Sequence, residues 1–366
     1  ELDEPFAPLL SYLAYPRGLM VSPEAVRRHG RDVGRHPSGT GPFQLESFEP
    51  GRRIVLRRNP SYWGPPPALE RLVFRPLTDE MTRVAELRAG GVDLVLELSP
   101  DNVAWLRHTE GFQVHERSGP HLWFLILNTR EPPLSDVRMR RALNYAIDKR
   151  ALVEGVLQDT ASVAAGPVPE AFDWAHDSTL RPYPYDPERA RELVREAGQE
   201  GTELTFLVPQ GGSGMLAPVQ MATAIQADLA AIGLKARIET YEWNTYLEKV
   251  NAGLEGQGHL AEMAWMTNDP DTLPYLALRT SAHPPDGFNS GYYSNPEVDA
   301  LLEQARTATD ATERARLYRE VQRRVHEDAP WVFVASWRQH AVTSARVRDF
   351  RLQPSFLLLL ADTSKR

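Results

Sequence analysis

The stretch Leu204–Tyr241, LTFLVPQGGSGMLAPVQMATAIQADLAAIGLKARIETY, decides the fold class. Its opening run Leu204–Val208 predicts a strand, and the alternating run Arg237–Tyr241 predicts a second one. Between them, Ala217–Ile232 has a helical pattern that ends at Gly233. A strand, a helix and a strand in this order predict a β-α-β unit, and therefore an α/β lobe.

Other segments extend this pattern along the chain. The segment Phe43–Leu56 holds two short β-rich runs around a Pro-Gly turn and predicts a β-hairpin. The continuously apolar run Leu122–Leu127 predicts a strand that is buried on both faces, as in a parallel sheet. Asp136, Asp186 and Asp310 each precede an amphipathic run and predict helix N-termini. The chain is therefore predicted to be a mixed α/β protein.

Length and composition set outer limits on architecture and function. With 366 residues the chain exceeds what one hydrophobic core usually accommodates, which predicts two lobes. A net charge of -8 with scattered Arg residues disfavours a nucleic-acid partner. The densest apolar run, Phe356–Ala361, is too short to span a membrane. The absence of Cys excludes disulfides, thiolate metal sites and Cys nucleophiles.

One loop and one acidic turn are chemically suggestive. The loop Gln210–Gly214 lacks both the Gly-Lys-Ser/Thr of a Walker motif and the Gly-x-Ser-x-Gly of a hydrolase elbow. Because it follows a strand, where open α/β sheets place ligands, we expect backbone contacts to a ligand from Gly211 and Gly212. The His residues show no metal-ligand spacing, and Asp269–Asp271 lacks the Gly and the distal Glu of a calcium loop. The sequence therefore predicts no metal, no cofactor and no catalytic residues.

A set of short phrases, taken together and in order, is more specific than any single motif. The phrases are Pro37–Phe43 (PSGTGPF), Arg58–Gly64 (RNPSYWG), Leu87–Asp93 (LRAGGVD), Leu127–Thr129 (LNT), Asp136–Leu143 (DVRMRRAL), Tyr185–Ala190 (YDPERA) and Asn295–Asp299 (NPEVD). In this order and spacing they closely resemble family 5 of the ABC-transporter solute-binding proteins, which includes the oligopeptide-, dipeptide- and nickel-binding proteins. The resemblance runs over nearly the whole chain.

This resemblance implies a two-lobe α/β fold of the periplasmic-binding-protein type II class, in which the lobes close on a ligand by hinge motion. Residues 1–126 would form lobe I, residues 127–338 lobe II, and residues 339–366 would return to lobe I. Because the phrase at Pro37–Phe43 lies well past the first lobe strands of family members, we expect a partial N-terminal lobe that lacks the first third of the protein. The opening Glu1-Leu2-Asp3 has neither an initiator Met nor an apolar region, as expected of a processed or truncated N-terminus.

The resemblance also implies a function. Family members bind a short peptide or a similar small solute in the cleft between the lobes and pass it, chemically unaltered, to an ABC permease in the membrane. We therefore expect a monomeric solute-binding protein of an ABC importer that is not an enzyme. Its expected location is the periplasm or the extracellular face of the cell membrane, reached by an export signal that is not in this chain. A peptide, a nickel complex, a sugar or an opine would each be compatible with the resemblance.

The resemblance points to five side chains as ligand contacts. Trp243 and Trp265 match two family Trp residues whose rings line pockets for ligand side chains; alternatively, either ring only packs the core. Asn268 stands where peptide-binding members pair an Asp with the ligand amino group, and Asp269 follows as the preferred amine anchor. Glu262 stands where some relatives hold a ligand carboxylate with an Arg, so it would repel a carboxylate and need a cationic partner in a cavity. Equally, it could be a solvated strand residue.

Two other functions stay open. A hydrolase could use the carboxylates of Glu262, Asp269 and Asp271 for acid/base chemistry, although no recognised catalytic constellation supports it. A sensory or chaperone-like relative would keep the fold and signal through a protein partner instead of a permease.

Overall fold

The structure is a computed structural model that describes residues 2–15, 18–354 and 357–366. The apolar run predicted at Phe356–Ala361 therefore has its first residue outside the described residues. The chain forms two compact units. The first unit comprises Glu1–Tyr12 and Ser118–Arg338, and the second unit comprises Leu13–Arg117 and Gln339–Arg366.

Helices and strands alternate through much of the chain. The helices are α1 (Leu9–Leu13), α2 (Pro23–His29), α3 (Glu80–Ala89), α4 (Pro100–Arg107), α5 (Val137–Ala146), α6 (Lys149–Ala151), α7 (Pro187–Glu196), α8 (Pro218–Ala231), α9 (Trp243–Asn251), α10 (Thr272–Ala277), α11 (Pro296–Thr307) and α12 (Ala311–Asp328). The strands are β1 (Phe43–Glu49), β2 (Arg53–Arg58), β3 (Arg71–Phe74), β4 (Leu94–Leu96), β5 (Phe112–Ser118), β6 (His121–Leu127), β7 (Ala161–Val163), β8 (Glu203–Pro209), β9 (Lys235–Tyr241), β10 (Leu260–Met266), β11 (Trp331–Ser344), β12 (Val347–Arg348) and β13 (Ser364–Lys365).

The first unit is built on one sheet with the strand order β7, β11, β6, β10, β8, β9. Strand β8 is parallel to both β9 and β10. The predicted β-α-β unit is confirmed, because α8 connects the parallel strands β8 and β9. The carboxyl ends of β8, β9 and β10 consequently lie at one edge of the sheet.

The pairing predicted for Leu122–Leu127 is wrong, although its burial is confirmed. All of β6 is buried, but the strand lies antiparallel to β10 on one side and to β11 on the other. A continuously apolar run reports that both faces of a strand are covered. It carries no information about the direction of the neighbouring strands.

Helices cover both faces of this sheet. On one face, called here the α8 face, α5, α7 and α8 pack against alternate strand residues that include Trp123, Leu125 and Val208. On the opposite face, called the α9 face, α9, α10, α11 and α12 pack against residues such as Phe124 and Met263. The result is a helix-sheet-helix layer arrangement with a core on each side of the sheet.

The helix starts predicted from acidic residues are confirmed. The side chains of Asp136, Asp186 and Asp310 accept hydrogen bonds from backbone N–H groups in the first turns of α5, α7 and α12. These bonds satisfy donors that a helix start otherwise leaves without partners. The three helices therefore begin where the sequence places a capping oxygen.

The second unit contains the predicted hairpin. Strands β1 and β2 pair antiparallel with Phe43 opposite Arg58, and β3 extends them to a three-stranded sheet. Strand β4 pairs antiparallel with the end of β11 at Ala341–Thr343. Helices α3 and α4 pack on that strand through Val84, Leu106 and neighbouring apolar residues.

The lobe boundaries predicted after residues 126 and 338 stay predictions. In the structure, β6 lies in the first unit because it pairs along its whole length with β10. Within the described chain, every helix is too short or too polar to cross a membrane.

Candidate ligand site at the edge of the first sheet

Three segments meet at the carboxyl edge of the first unit's sheet because β8, β9 and β10 run in the same direction. The glycine loop, Gln210–Ala217, follows β8; Glu242 and Trp243 follow β9; and residues 267–271 follow β10. Open α/β sheets place ligands at this edge. All predicted ligand residues lie on these segments or on β10 itself.

The glycine loop lies directly on Trp243 and on β10. A Cβ atom at Gly212 would clash with the indole ring of Trp243, and the φ of Gly212 is +155°. A Cβ at Gly214, whose φ is +77°, would lie 3.4 Å from the Cβ of Ala264. Only glycine allows this approach at Gly212. The structure thus brings the predicted residues Gly212 and Trp243 into contact.

The two predicted Trp residues are each half-buried. Trp243 begins α9, where the Glu242 side chain caps the helix, and its ring stacks on Tyr246 at a centroid distance of 6.0 Å. The Trp265 ring meets Phe288 edge to face at 5.3 Å. Each ring therefore packs on the α9-face core while part of its surface remains accessible. The ligand role of both rings stays a prediction.

Asn268 and Asp269 are engaged within the first unit. The Asn268 amide nitrogen donates to the Ser11 carbonyl oxygen at 2.7 Å, and its amide oxygen accepts from the Thr272 hydroxyl at 3.0 Å. One carboxylate oxygen of Asp269 accepts from the Arg314 guanidinium at 2.6 Å. The same Asp269 oxygen accepts from the Asp271 backbone N–H at 2.9 Å. Both side chains stabilise the turn after β10, and their ligand roles stay predictions.

Asp271 is a fully buried carboxylate beside this pair. It accepts a hydrogen bond from the Tyr12 hydroxyl at 3.2 Å and lies 3.7 Å from the Arg306 guanidinium. Burial, assisted by repulsion from Asp269, raises the pKa of Asp271 to about 6, although Arg306 acts in the opposite direction. Its other oxygen has no hydrogen-bond partner among the described residues. Desolvation therefore outweighs the attraction of the nearby guanidinium.

The Glu262 side chain on β10 is buried, so the alternative of a solvated strand residue is wrong. Its side chain is fully buried, and neither carboxylate oxygen has a hydrogen-bond partner among the described residues. Burial raises the pKa of this carboxyl well above its usual range. Because side chains alternate along a strand, Glu262 lies on the α8 face with Leu260 and Ala264, whereas Trp265 lies on the α9 face. The two predicted ligand residues therefore occupy opposite faces of β10.

The three carboxylates of the hydrolase hypothesis have different surroundings. Asp269 is paired with Arg314, Asp271 is beside Arg306, and Glu262 is enclosed on the α8 face. Asp269 and Asp271 thus belong to a cluster of ion pairs, and Glu262 is a separate buried acid. This arrangement does not favour a catalytic acid/base pair. Within the described ranges, no group of three His, Asp or Glu side chains is placed to hold a metal ion.

Sequence reasoning missed the partners of these acids. Arg314 lies three residues before Leu317 and seven before Val321, on the buried side of α12, and this spacing could have revealed an inward-facing Arg. No comparable signal links Tyr12 to Asp271, because 259 positions separate them.

Two cavities lie away from these segments. One of about 290 Å³ in the first unit is lined by residues that include Leu122 and Ser336. The other, of about 920 Å³ in the second unit, is lined by residues that include Ile54 and Val73. No predicted site residue lines either cavity. The candidate site is therefore defined by the sheet edge and not by these cavities.

Solved structures place this fold in a known class. The periplasmic binding protein DppA from Helicobacter pylori, in complex with the peptide STSA, is similar with a TM-score of 0.83 and 26% identity, covering 100% of this chain and 71% of that one. HbpA2 from Haemophilus parasuis has a TM-score of 0.85 and 27% identity, covering 100% of this chain and 73% of that one. These likenesses confirm the predicted two-lobe, type II periplasmic-binding-protein fold, which is a fold of solute-binding proteins.

The chain belongs to the bacterial extracellular solute-binding proteins, family 5, whose middle-region model matches residues 1–285. Heme-binding protein A of Haemophilus influenzae is 34% identical over 320 residues, which is 87% of this chain and 58% of that protein. The glutathione-binding protein GsiB of Pectobacterium atrosepticum is 30% identical over 366 residues, which is 99% of this chain and 70% of that protein. The family predicted from the sequence phrases is thus confirmed, and the chain spans 58% and 70% of these two relatives.

Proposed function

We propose that this chain is the solute-binding component of an ABC importer and that it binds a short peptide or a solute of similar size. In this proposal it works outside the cytoplasm, as a monomer, and delivers the unaltered solute to a membrane permease. Two relatives support a peptide ligand: the glutathione-binding protein at 30% identity and the di/tripeptide-binding protein 2 of Pseudomonas aeruginosa at 31% identity. The hinge closure that the resemblance implies belongs to the same proposal.

One observation carries the proposal: the glycine loop, Trp243 and the turn after Trp265 converge at the carboxyl edge of a parallel strand set. Backbone from the loop and partly accessible indole rings together offer hydrogen bonds and apolar surface. A small solute needs both, because an enclosed polar group requires a partner and aromatic walls supply most of the buried area.

The test is isothermal titration of the purified protein with three probes: the peptide Ser-Thr-Ser-Ala, the dipeptide Met-Leu and reduced glutathione. We expect at least one to bind and to change the Trp fluorescence. Trp265→Ala should weaken that binding by about 30-fold, as expected for an aromatic side chain that contributes about 2 kcal/mol to binding.

The matched control is Trp63→Ala, which removes an indole that is 81% exposed in the second unit. This variant should keep the wild-type affinity. Unchanged affinity in Trp265→Ala would remove that residue from the site. If none of the three probes binds and native mass spectrometry of the purified protein reveals a different class of solute, the peptide proposal is refuted.

A further inference from the structure

The α8 face of the first sheet contains the buried polar groups of Glu262 and Trp123, which have no hydrogen-bond partner among the described residues. Neither oxygen of the Glu262 carboxylate accepts a hydrogen bond from a described residue. The indole N–H of Trp123 likewise donates to no described residue. Glu262 is fully buried and Trp123 is 2% exposed. An acceptor and a donor without partners are therefore enclosed on one face of one sheet.

The strand register places these two residues diagonally opposite each other. In the antiparallel pair of β6 and β10, Trp123 is opposite Ala264 and Leu125 is opposite Glu262. Trp123 and Glu262 are thus diagonal neighbours on the same face, at a separation of about 7–8 Å that long and aromatic side chains can bridge. The small side chain of Ala264 lies next to both. We call Glu262, Trp123 and Ala264 the Glu262 patch.

The described neighbours of Glu262 on this face do not neutralise its carboxylate. The neighbours Leu125 and Leu260 are apolar core residues. His121 lies two residues before Trp123 and stacks on Trp337 at 4.2 Å. Burial lowers the pKa of His121 to about 4, so its ring is neutral near pH 7. Among the described residues, these neighbours supply no compensating cation, and burial is the cause of the raised pKa of Glu262.

The glycine loop borders the patch at Ala264. Gly214 approaches so closely that a Cβ there would lie 3.4 Å from the Cβ of Ala264 and 3.9 Å from the Trp337 ring. The same loop contacts Trp243 through Gly212. The patch therefore borders the glycine loop, from which we expect backbone contacts to a solute.

A buried carboxylate without a partner is unfavourable, and a cation that forms charge-assisted hydrogen bonds with it relieves the penalty. The Trp123 indole N–H needs an acceptor oxygen at the same place. We infer that the Glu262 patch is the specificity subsite of the proposed solute site and takes a basic side chain of the solute, whose ammonium or guanidinium pairs with Glu262 while a nearby carbonyl oxygen of the solute accepts from the Trp123 indole. The inference rests on the proposed function and narrows its substrates to cationic solutes.

The test is isothermal titration of the purified protein at pH 7.5 with the tripeptides Ala-Lys-Ala, Ala-Gln-Ala and Ala-Glu-Ala. We expect the Lys peptide to bind at least about tenfold more tightly than the Gln peptide, and the Glu peptide to bind most weakly. In Glu262→Gln the Lys and Gln peptides should bind equally. The control Glu203→Gln, which makes the same charge change at an exposed position at the start of β8, should preserve the preference.

A second variant covers the case in which Glu262→Gln fails to fold. Trp123→Phe keeps an aromatic ring but removes the N–H donor, and it should weaken all three peptides severalfold while leaving their order unchanged. Peptide binding without a preference for Lys, or a preference that survives in Glu262→Gln, would overturn the subsite and leave the proposed function standing. Unchanged affinities in Trp123→Phe would also overturn it. Failure of all three peptides to bind would overturn the subsite together with the peptide proposal.

Discussion

Replacing Asp271 by Asn is expected to stabilise the protein above pH 6. The Asp271 side chain is fully buried, one of its oxygens has no described partner, and its pKa is raised to about 6 from an ordinary value of 3.8. Asn has nearly the same shape and can keep the hydrogen bond from the Tyr12 hydroxyl. The substitution therefore removes the buried charge and leaves the packing in place.

The magnitude follows from the difference between the folded and unfolded pKa values of Asp271. Between pH 3.8 and about 6 the folded state holds a proton that the unfolded state has released, so stability falls as the pH rises through this window. The loss is complete above pH 6. At about 1.4 kcal/mol per pKa unit, a difference of roughly two units corresponds to about 3 kcal/mol. Asp271→Asn should therefore gain about 3 kcal/mol over wild type at pH 8 and about zero at pH 3.5.

The measurement is urea denaturation of both proteins at pH 3.5 and pH 8. The matched control is Asp269→Asn, two residues away. Asp269 forms a buried ion pair with Arg314 at 2.6 Å, so this variant leaves a buried guanidinium without its partner. It should lose about 3–5 kcal/mol at pH 8.

The two Asp→Asn substitutions, at positions 269 and 271, should thus change the free energy of unfolding at pH 8 with opposite signs. If Asp271→Asn destabilises the protein at pH 8, the attraction between Asp271 and Arg306 outweighs the burial of the carboxylate, and the reasoning is refuted. The same conclusion follows if the stability difference between pH 3.5 and pH 8 is identical in wild type and variant.

Three further substitutions test other parts of the structure. Lys149 is 4% exposed, and burial lowers its pKa from 10.5 to about 7. Between pH 7 and 10.5 the unfolded state therefore holds a proton that the folded state has released, so the free energy of unfolding rises with pH in this window. Lys149→Met should lack this rise in urea denaturation at pH 7 and pH 9, and an equal rise in wild type and variant would contradict this account. Gly212→Ala should displace the Trp243 ring, change its fluorescence and weaken solute binding, whereas Gly211→Ala, whose added Cβ meets no atom within 4 Å, should leave the ring position and its fluorescence unchanged. Asp310→Ala removes the cap of α12 and should cost about 1 kcal/mol in the free energy of unfolding, and no measurable loss would show that the cap is dispensable.

Local features of the fold were predictable because their causes lie within a few residues. The caps at Asp136, Asp186 and Asp310 bind backbone N–H groups two or three positions away, so the sequence contains both partners. The hairpin at Phe43–Leu56 likewise needs only its turn and its flanking runs. The strand Leu122–Leu127 marks the limit, because its apolar residues predict burial but not the direction of its neighbours.

The candidate site was only partly predictable. The order of strands and helices is sufficient to place the glycine loop and Trp243 at the carboxyl edge of the sheet. The sequence did not indicate that Asp269 is already paired with Arg314, 45 residues away along the chain. Nor did it decide between exposure and burial for Glu262, because alternation along a strand separates two faces without saying what covers them.

The amino-acid sequence by itself determined where helices and strands begin, the α/β class and the family, since these depend on short-range hydrogen bonds, side-chain period and ordered phrases. Tertiary structure alone decided which charges are paired and which are enclosed without a partner. Asp271 meets Tyr12 across 259 positions, and Glu262 loses its solvent only when the segments around β10 pack together. Such outcomes depend on which distant segments pack together, because this packing sets both the desolvation of a charged group and the partners that it meets.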